Sequence, residues 1–273
     1  MTALRLLCTD LDRTLIPNGD ADELPDARQR LAVLINQHGI HLAYVSGRDH
    51  QLVQQAIEEY QLPYPEYVIA DVGSTIYFCS GADWSLVAAW HQQIGHDWAE
   101  QTAMQIYHYF TELSVLTLQE VSKQGRYKLS YYVPLSADHE ALMQQMQKIA
   151  LQHHLAINLI YSVDDEKKLG LLDVLPASAS KLAAIYFLLD ELAINKDEVI
   201  FAGDSGNDID VLCSDLPAVL VANAQYDVRQ QALSLAEQNG HRDYLYLAHG
   251  VTGNGHYADG IIEGMQHYYP DIK

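Results

Sequence analysis

"LLCTDLDRTL", residues Leu6 to Leu15, sets Asp10 and Asp12 two positions apart directly after an apolar run, with Thr14 two positions further on. Residues 4 to 9, LRLLCT, have the unbroken apolar character of a strand buried on both faces, as in a parallel sheet. In such sheets ligands bind beyond the carboxyl ends of the strands, where loops leave for the helices. Along an extended segment alternate side chains share a face, so the two carboxylates are expected on the same side of that loop.

The rest of the chain repeats this unit. Leu24 to His38 carries Leu24, Ala27, Leu31, Leu34 and Ile35 at helical spacing. HLAYVSGR is a second strand and turn, Asp49 to Tyr60 a second helix, and EYVIADVG a third strand. Strands alternating with helices predict an α/β fold with right-handed crossovers and a mainly parallel sheet. From about Ala82 to Gly170 the character changes. All three tryptophans fall there, and helical segments over roughly 97–113 and 138–153 alternate with the strand-like KLSYYV and AINLIYSV. This reads as an inserted α+β domain. LLDVL, a helix from Ser178 to Leu192, VIFAG, a short helix from Asn207, AVLVAN, a helix over Val228–Glu237 and a last helix near 255–268 then resume the first pattern. The expected division is a core over 1–82 and 171–273 with an insertion over 83–170.

The reactive residue types sit at the ends of these elements. Asp10, Asp12 and Thr14 follow the first strand, Ser46 follows the second, Lys181 opens a helix, and Asp204 and Asp208 lie in FAGDSGND. Four carboxylates crowded into one cleft repel, and a bound divalent cation is the natural remedy. Their all-oxygen character suits Mg2+, which takes one or two carboxylates together with substrate phosphate. Lys181 and the hydroxyls of Thr14 and Ser46 are donors for that phosphate. Singly, each feature has an ordinary explanation as a turn, a helix cap or a solvated residue; together and in order they make a phosphoryl-transfer site.

Composition agrees with a globular enzyme and narrows its partners. The 273 residues are 49% hydrophobic and 19% charged. The formal net charge is -20, with no basic run longer than Lys167-Lys168, which argues against nucleic acid. Cys8, Cys79 and Cys213 are odd in number and widely spaced among apolar neighbours, and are expected as reduced core thiols. The thirteen histidines lack paired metal-ligand spacing. No leader pattern and no apolar stretch of membrane length is visible, so a cytoplasmic protein is expected.

D-x-D-x-T after the first strand, a serine after the second, a lysine at a helix start and G-D-x-x-N-D after a later strand resemble the haloacid dehalogenase (HAD) superfamily of phosphatases. The insertion between the serine strand and the lysine helix resembles that superfamily's C2-type cap, in the subgroup holding Cof-like hydrolases and sucrose phosphatases. DLDRTL, AYVSGR, VGSTIY, YKLSYYV, DVLPASASK and AGDSGNDIDVL are most similar to sucrose-6-phosphate phosphatases.

The resemblance implies a Rossmann-like parallel-sheet core with an inserted C2-type cap. It implies Asp10 as nucleophile, Asp12 as general acid and base, and Lys181 as the cation neutralising nucleophile and phosphate. Thr14, Ser46, Gly47 and Asn207 would hold the phosphoryl group, Asp10, Asp12, Asp204 and Asp208 would form the Mg2+ site, and Lys128 and Tyr131 would meet the sugar. The implied substrate is a small sugar phosphate, sucrose 6-phosphate first, with the upstream glycosyltransferase as a further partner. Two departures bear on the sugar. Sucrose phosphatases tend to read G-T-E-I-Y and K-D-V-D-L-L-P where this chain has GSTIY and GLLDVLP, so Thr75 replaces an acid and Gly170 stands where a lysine is usual. Other glycosyl phosphates, a sugar phosphomutase and, at a distance, a phospho-aspartate receiver remain alternatives.

Overall fold

The computed structural model describes residues 3–81, 83–164, 167–251 and 253–273; the expected boundary residue Ala82 lies outside them. The opening apolar run forms strand β1 (Leu6–Thr9), buried along its whole length. Helix α1 (Ala27–His38) turns four buried apolar residues toward the sheet and stops at Gly39, whose left-handed conformation lets its amide cap the helix end. Strand β2 (His41–Val45) leads into α2 (His50–Tyr60), where the Asp49 carboxylate accepts from the Leu52 amide at 2.9 Å. Strand β3 (Tyr67–Ala70) completes the first half of the core.

A β-hairpin follows, β4 (Thr75–Ser80) and β5 (Asp83–Leu86), closing one edge of the sheet; β4 runs antiparallel to β3, and β5 antiparallel to β4. After the inserted domain come α6 (Lys181–Leu192), β10 (Val199–Gly203), the single-turn α7 (Ile209–Leu212), β11 (Ala218–Leu220), α8 (Tyr226–Gln238), β12 (Leu245–Leu247) and α9 (Tyr257–Tyr268). The eight-stranded sheet runs β12-β11-β10-β1-β2-β3-β4-β5. All its pairs from β12 to β3 are parallel, so β1, β2 and β10 deliver their carboxyl ends to one edge.

The inserted domain contains α3 (Ala88–Gly95), α4 (Ala103–Phe110), β6 (Thr117–Leu118), β7 (Leu129–Pro134), α5 (His139–Gln152), β8 (Ile157–Asp164) and β9 (Leu169–Pro176). Its four strands form a separate antiparallel sheet, β6-β7-β9-β8. Strand alternation gives this sheet two unlike faces. Leu129, Tyr131 and Val133, with Leu172 and Val174, pack in one cluster with Ile106, Phe110, Leu142 and Met146 of α4 and α5. Lys128 and Tyr132, with Asp173 and Leu171, face the core and line a cleft against it. Fold and cap are therefore those the sequence suggests: a parallel-dominated α/β core carrying an α+β cap.

The elements differ from expectation in three places. Asp83–Leu86 pairs with the core sheet and Leu169–Pro176 with the cap sheet, so the sheets divide the chain differently from 82/83 and 170/171. LLDVL thus lies in the cap, its apolar run reflecting burial between β7 and β8. The helix expected over 97–113 is the shorter α4, which follows a 3-10 turn at His96–Trp98, because Ala99 and Glu100 adopt left-handed backbone that a helix cannot contain. Cys8, Cys79 and Cys213 are free and buried, as expected.

Between β3 and β4 the chain makes a turn at Asp71–Gly73 in which all three residues have positive φ (53°, 59° and 96°). Gly73 is pressed against the start of α6: a Cβ there would stand 2.3 Å from the Ser180 carbonyl and 2.6 Å from the Lys181 nitrogen. We predict that Gly73→Ala destabilises the protein by roughly 3 kcal/mol, from strain and collision together, and lowers activity by displacing Lys181. Thermal melts and turnover assays check this; a melting temperature within a degree of the wild type would refute the contact.

Candidate active site

Four elements bring the candidate residues together: the loops after β1, β2 and β10, and the first residue of α6. Asp10 is the first residue past β1, its amide still bound to the Ala202 carbonyl at 2.9 Å, and it is 4% exposed. Lys181 opens α6 behind the Ser180 cap and is 1% exposed. Its ammonium donates to Asp10 Oδ1 at 2.9 Å, to Asp208 Oδ1 at 2.6 Å and to Asn207 Oδ1 at 2.9 Å, which fills its three donor positions. Asp208 also accepts from the amides of Asp204 and Ser205, both at 3.2 Å. It packs so closely beneath the end of β10 that a Cβ at Gly203 would lie 2.8 Å from its carboxyl carbon, so glycine is required there.

Asp10, Asp204 and Asp208 each offer a carboxylate oxygen within 4.8 Å of the others, and all three are buried. Burial, together with repulsion from Asp208 and Asp204, pushes Asp10 well above the usual carboxylate range despite Lys181. Asp204 is pushed up to about 7, by burial first and by Asp208 second. Burial alone would lower Lys181, but Asp10 and Asp208 outweigh it and hold the ammonium charged. Three carboxylates facing one ammonium leave two negative charges uncompensated. An all-oxygen, buried, over-negative group of this kind fits a hard divalent cation.

Asp12 is placed differently from expectation. Its carboxylate turns away from the triad to Arg48, which donates from Nε to Oδ2 at 2.8 Å and from its terminal nitrogen to Oδ1 at 2.6 Å, while Asn18 donates at 2.7 Å. Its side chain therefore does not join the metal group. Burial would raise its pKa, but the Arg48 fork overrides this and holds the carboxyl below its ordinary range. The Thr14 hydroxyl donates to Asp204 Oδ1 at 3.1 Å, which orients that carboxylate. Ser46 is fully buried and its Oγ accepts from the Arg48 amide at 3.2 Å, while Gly47 and Asn207 line the open cleft.

The cleft between core and cap has a volume of about 650 Å³, ample for a disaccharide phosphate by the usual range for ligand sites. Lys128 lines it from the cap, with its ammonium 3.8 Å from Asp71 of the core. Tyr131 does not line it: the odd-numbered face of β7 is packed against the cap helices, and Tyr131 is 2% exposed there. Its neighbour Tyr132 takes the cleft position. Gly170 also faces the helix side, with the Tyr161 ring lying over it, and Thr75 donates to the Asp71 carboxylate. Arg48, Asn18, Asp71 and Asp173 were not singled out by sequence. Arg48 alone carried a readable signal, two positions beyond Ser46 in the same turn.

Residues 3–269 match the family described as sucrose-6F-phosphate phosphohydrolase. The chain belongs to this family. Among its relatives, a protein of Nitrosococcus oceani is 46% identical over 98% of this chain and 72% of its own. The mannosylfructose-phosphate phosphatase of Agrobacterium fabrum is 31% identical, with 98% of each chain covered. The crystal structure of the Synechocystis sucrose-phosphatase, in complex with sucrose and phosphate, has the same fold: TM-score 0.74 at 24% identity, over 98% of both chains. The family places the protein among the HAD phosphatases, and the enzyme is a phosphoric monoester hydrolase. Among the described residues no helix is long and apolar enough to cross a membrane.

The raised Asp204 pKa gives the metal-free protein a specific pH response. Between its unfolded value near 4 and its folded value near 7, the native state holds a proton that the unfolded state has lost. This group's contribution to stability is therefore present at the acid end and is lost as pH rises toward and through 7, with a slope of at most about 1.4 kcal/mol per pH unit. In chelator, wild type should lose more melting temperature than Asp204→Asn between pH 5 and pH 8, and a saturating divalent cation should remove the difference. Parallel melting curves for the two proteins in chelator would contradict the assignment.

Proposed function

We propose that the protein is a Mg2+-dependent phosphatase of a sugar phosphate, with sucrose 6-phosphate first and mannosylfructose phosphate or another glycosyl phosphate second. The observation that carries this is the buried Lys181 ammonium shared between Asp10 and Asp208, beside Asp204, at the bottom of a cleft roofed by polar cap residues. The family supports phosphate-ester chemistry, and the relatives named for sucrose and mannosylfructose phosphates support a glycosyl leaving group.

In this reading Asp10 attacks phosphorus, forming a carboxyl-phosphate bond as the bond to the sugar oxygen breaks. Asp12 gives that oxygen its proton. A water molecule then attacks phosphorus, Asp12 takes its proton, and phosphate leaves with Asp10 restored. Asp10, Asp204 and Asp208 would hold Mg2+, which when bound neutralises charge on the phosphoryl oxygens. Lys181 aims Asp10 and opposes the burial that raises its pKa, and bound Mg2+ would favour the ionised form further. Asn207 and Gly47 line the cleft where the phosphoryl group would sit, and the buried Ser46 supports the turn that carries Gly47. Arg48 holds Asp12 ionised, the form that accepts a proton from water; an incoming phosphate draws charge from Arg48 and so eases reprotonation for the donor half. Lys128 and Tyr132 contact the sugar from the cap. The glycosyltransferase that makes such a phosphate is the partner expected upstream.

Phosphate release should be measured over a panel of sugar phosphates with and without Mg2+. Turnover should vanish in EDTA and return with Mg2+, while Ca2+ substitutes poorly because its larger, looser coordination misplaces the phosphoryl group. Asp10→Asn should fold and lose at least about 10³-fold in kcat, since an amide is not a nucleophile. Full activity after chelation would refute the metal, and turnover by Asp10→Asn above contamination would refute the nucleophile. Isomerised sugar without free phosphate would mark a mutase instead.

A further inference from the structure

The turn at Asp71–Gly73 stores more backbone strain than a connection between two strands requires. Left-handed backbone is unfavourable for any residue with a Cβ and most of all for a β-branched one, yet both Asp71 (φ 53°) and Val72 (φ 59°) adopt it. The conformation is pinned from one side: the Asp71 amide donates to the Arg48 carbonyl at 3.0 Å and the Val72 amide to the Ser46 carbonyl at 3.1 Å. Both partners lie in the loop flanking the catalytic carboxylates. The turn is thus built onto the reaction site and aims one side chain, that of Asp71, across to the cap.

Asp71 meets Lys128 there. The pair stands 3.8 Å apart with side chains 9% and 5% exposed, one on the core and one on the cap sheet. Thr75 donates to the same carboxylate. Asp49 and Asp173 are the other charges near it. The ammonium also donates to the Lys123 carbonyl at 3.3 Å and lines the cleft, which Asp71 does not. At 3.8 Å the ion pair restrains Lys128 without a direct hydrogen bond, so the ammonium keeps a donor for the cleft. Resting on the sugar-phosphatase reading above, we propose that Asp71 is a positioning residue for glycosyl specificity: it holds the Lys128 ammonium toward a hydroxyl of the substrate's sugar and has no part in phosphoryl transfer.

The test uses the full chain with Mg2+, the faster of sucrose 6-phosphate and mannosylfructose phosphate, and p-nitrophenyl phosphate as a probe without a sugar. Asp71→Asn and Lys128→Met should each raise KM for the sugar phosphate about tenfold or more, as expected for loss of a charged hydrogen bond. Asp71→Asn should leave kcat and p-nitrophenyl phosphate turnover within about twofold. The double variant should lose no more than either single one, because the residues act through one contact. Asp71→Glu, which keeps the charge, should recover part of the KM. Independent, multiplying losses in the double variant would overturn the proposal. So would equal loss on both substrates in Asp71→Asn, or no rescue by Asp71→Glu when its melting temperature matches wild type. If Lys128→Met leaves the sugar KM unchanged, or neither sugar phosphate is hydrolysed, the cleft reading itself has failed. If Lys128→Met behaves as expected and Asp71→Asn does not, only the role of Asp71 has failed.

Discussion

A lysine ammonium with 1% exposure can exist in a folded protein only if it is paired, and the pairing of Lys181 organises this molecule. Its three hydrogen bonds tie α6 to the loop after β1 and to the turn after β10, elements 171 and 27 residues away in sequence. The carboxylates in turn gain from the ammonium, which opposes the burial and mutual repulsion that raise Asp10 and Asp204. The parallel sheet, the Ser180 cap, the close approach of Gly73 and the absent side chain at Gly203 all serve to bring that one charge to its partners. What remains unbalanced after the pairing is the negative charge a cation would answer.

The charge distribution extends this outward. A chain with 16 basic against 36 acidic residues puts Arg13, Arg48, Lys123, Lys128 and Lys167 around a single cleft. Asp10, Asp12, Asp164, Asp173 and Asp204 line the same cleft, so acidic and basic side chains balance there in a chain that is strongly acidic as a whole. The two arginine and lysine pairings then divide the labour. Arg48 holds the Asp12 carboxyl below its ordinary range, and Lys128 is paired with Asp71 on the side of the cap.

Much of this was readable in the chain because the reactive residues sit at element ends. Asp10, Ser46, Lys181, Asp204 and Asp208 are fixed by topology: once the strands are parallel, their carboxyl ends must converge. The cap was harder. Period-two alternation splits Lys128, Ser130 and Tyr132 from Leu129 and Tyr131, but only packing against α4 and α5 decides which set is inside, and the helix-facing set took Tyr131. The apolar β9 looked like a core strand because it is buried in its own sheet, and the exposed, polar β5 carried no strand signal at all. The turning of Asp12 to Arg48 depends on a partner 36 residues away, and the left-handed Asp71–Val72 turn on tertiary anchors, so neither leaves a local mark.

The route by which the chain leaves the cap confines how the two bodies can move. Ala177 donates to the Ala156 carbonyl, Ser178 donates to Asp97, and the Ala179 carbonyl accepts from Asn158, so these three residues travel with the cap. Ser180 is wedged against Gly73 and caps α6, so it stays with the core. Any swing of the cap on this strand must therefore be absorbed by the torsions between Ala179 and Ser180, one residue before the catalytic ammonium. The last residue held by the cap and the residue that mounts the lysine on the core are therefore adjacent in the chain.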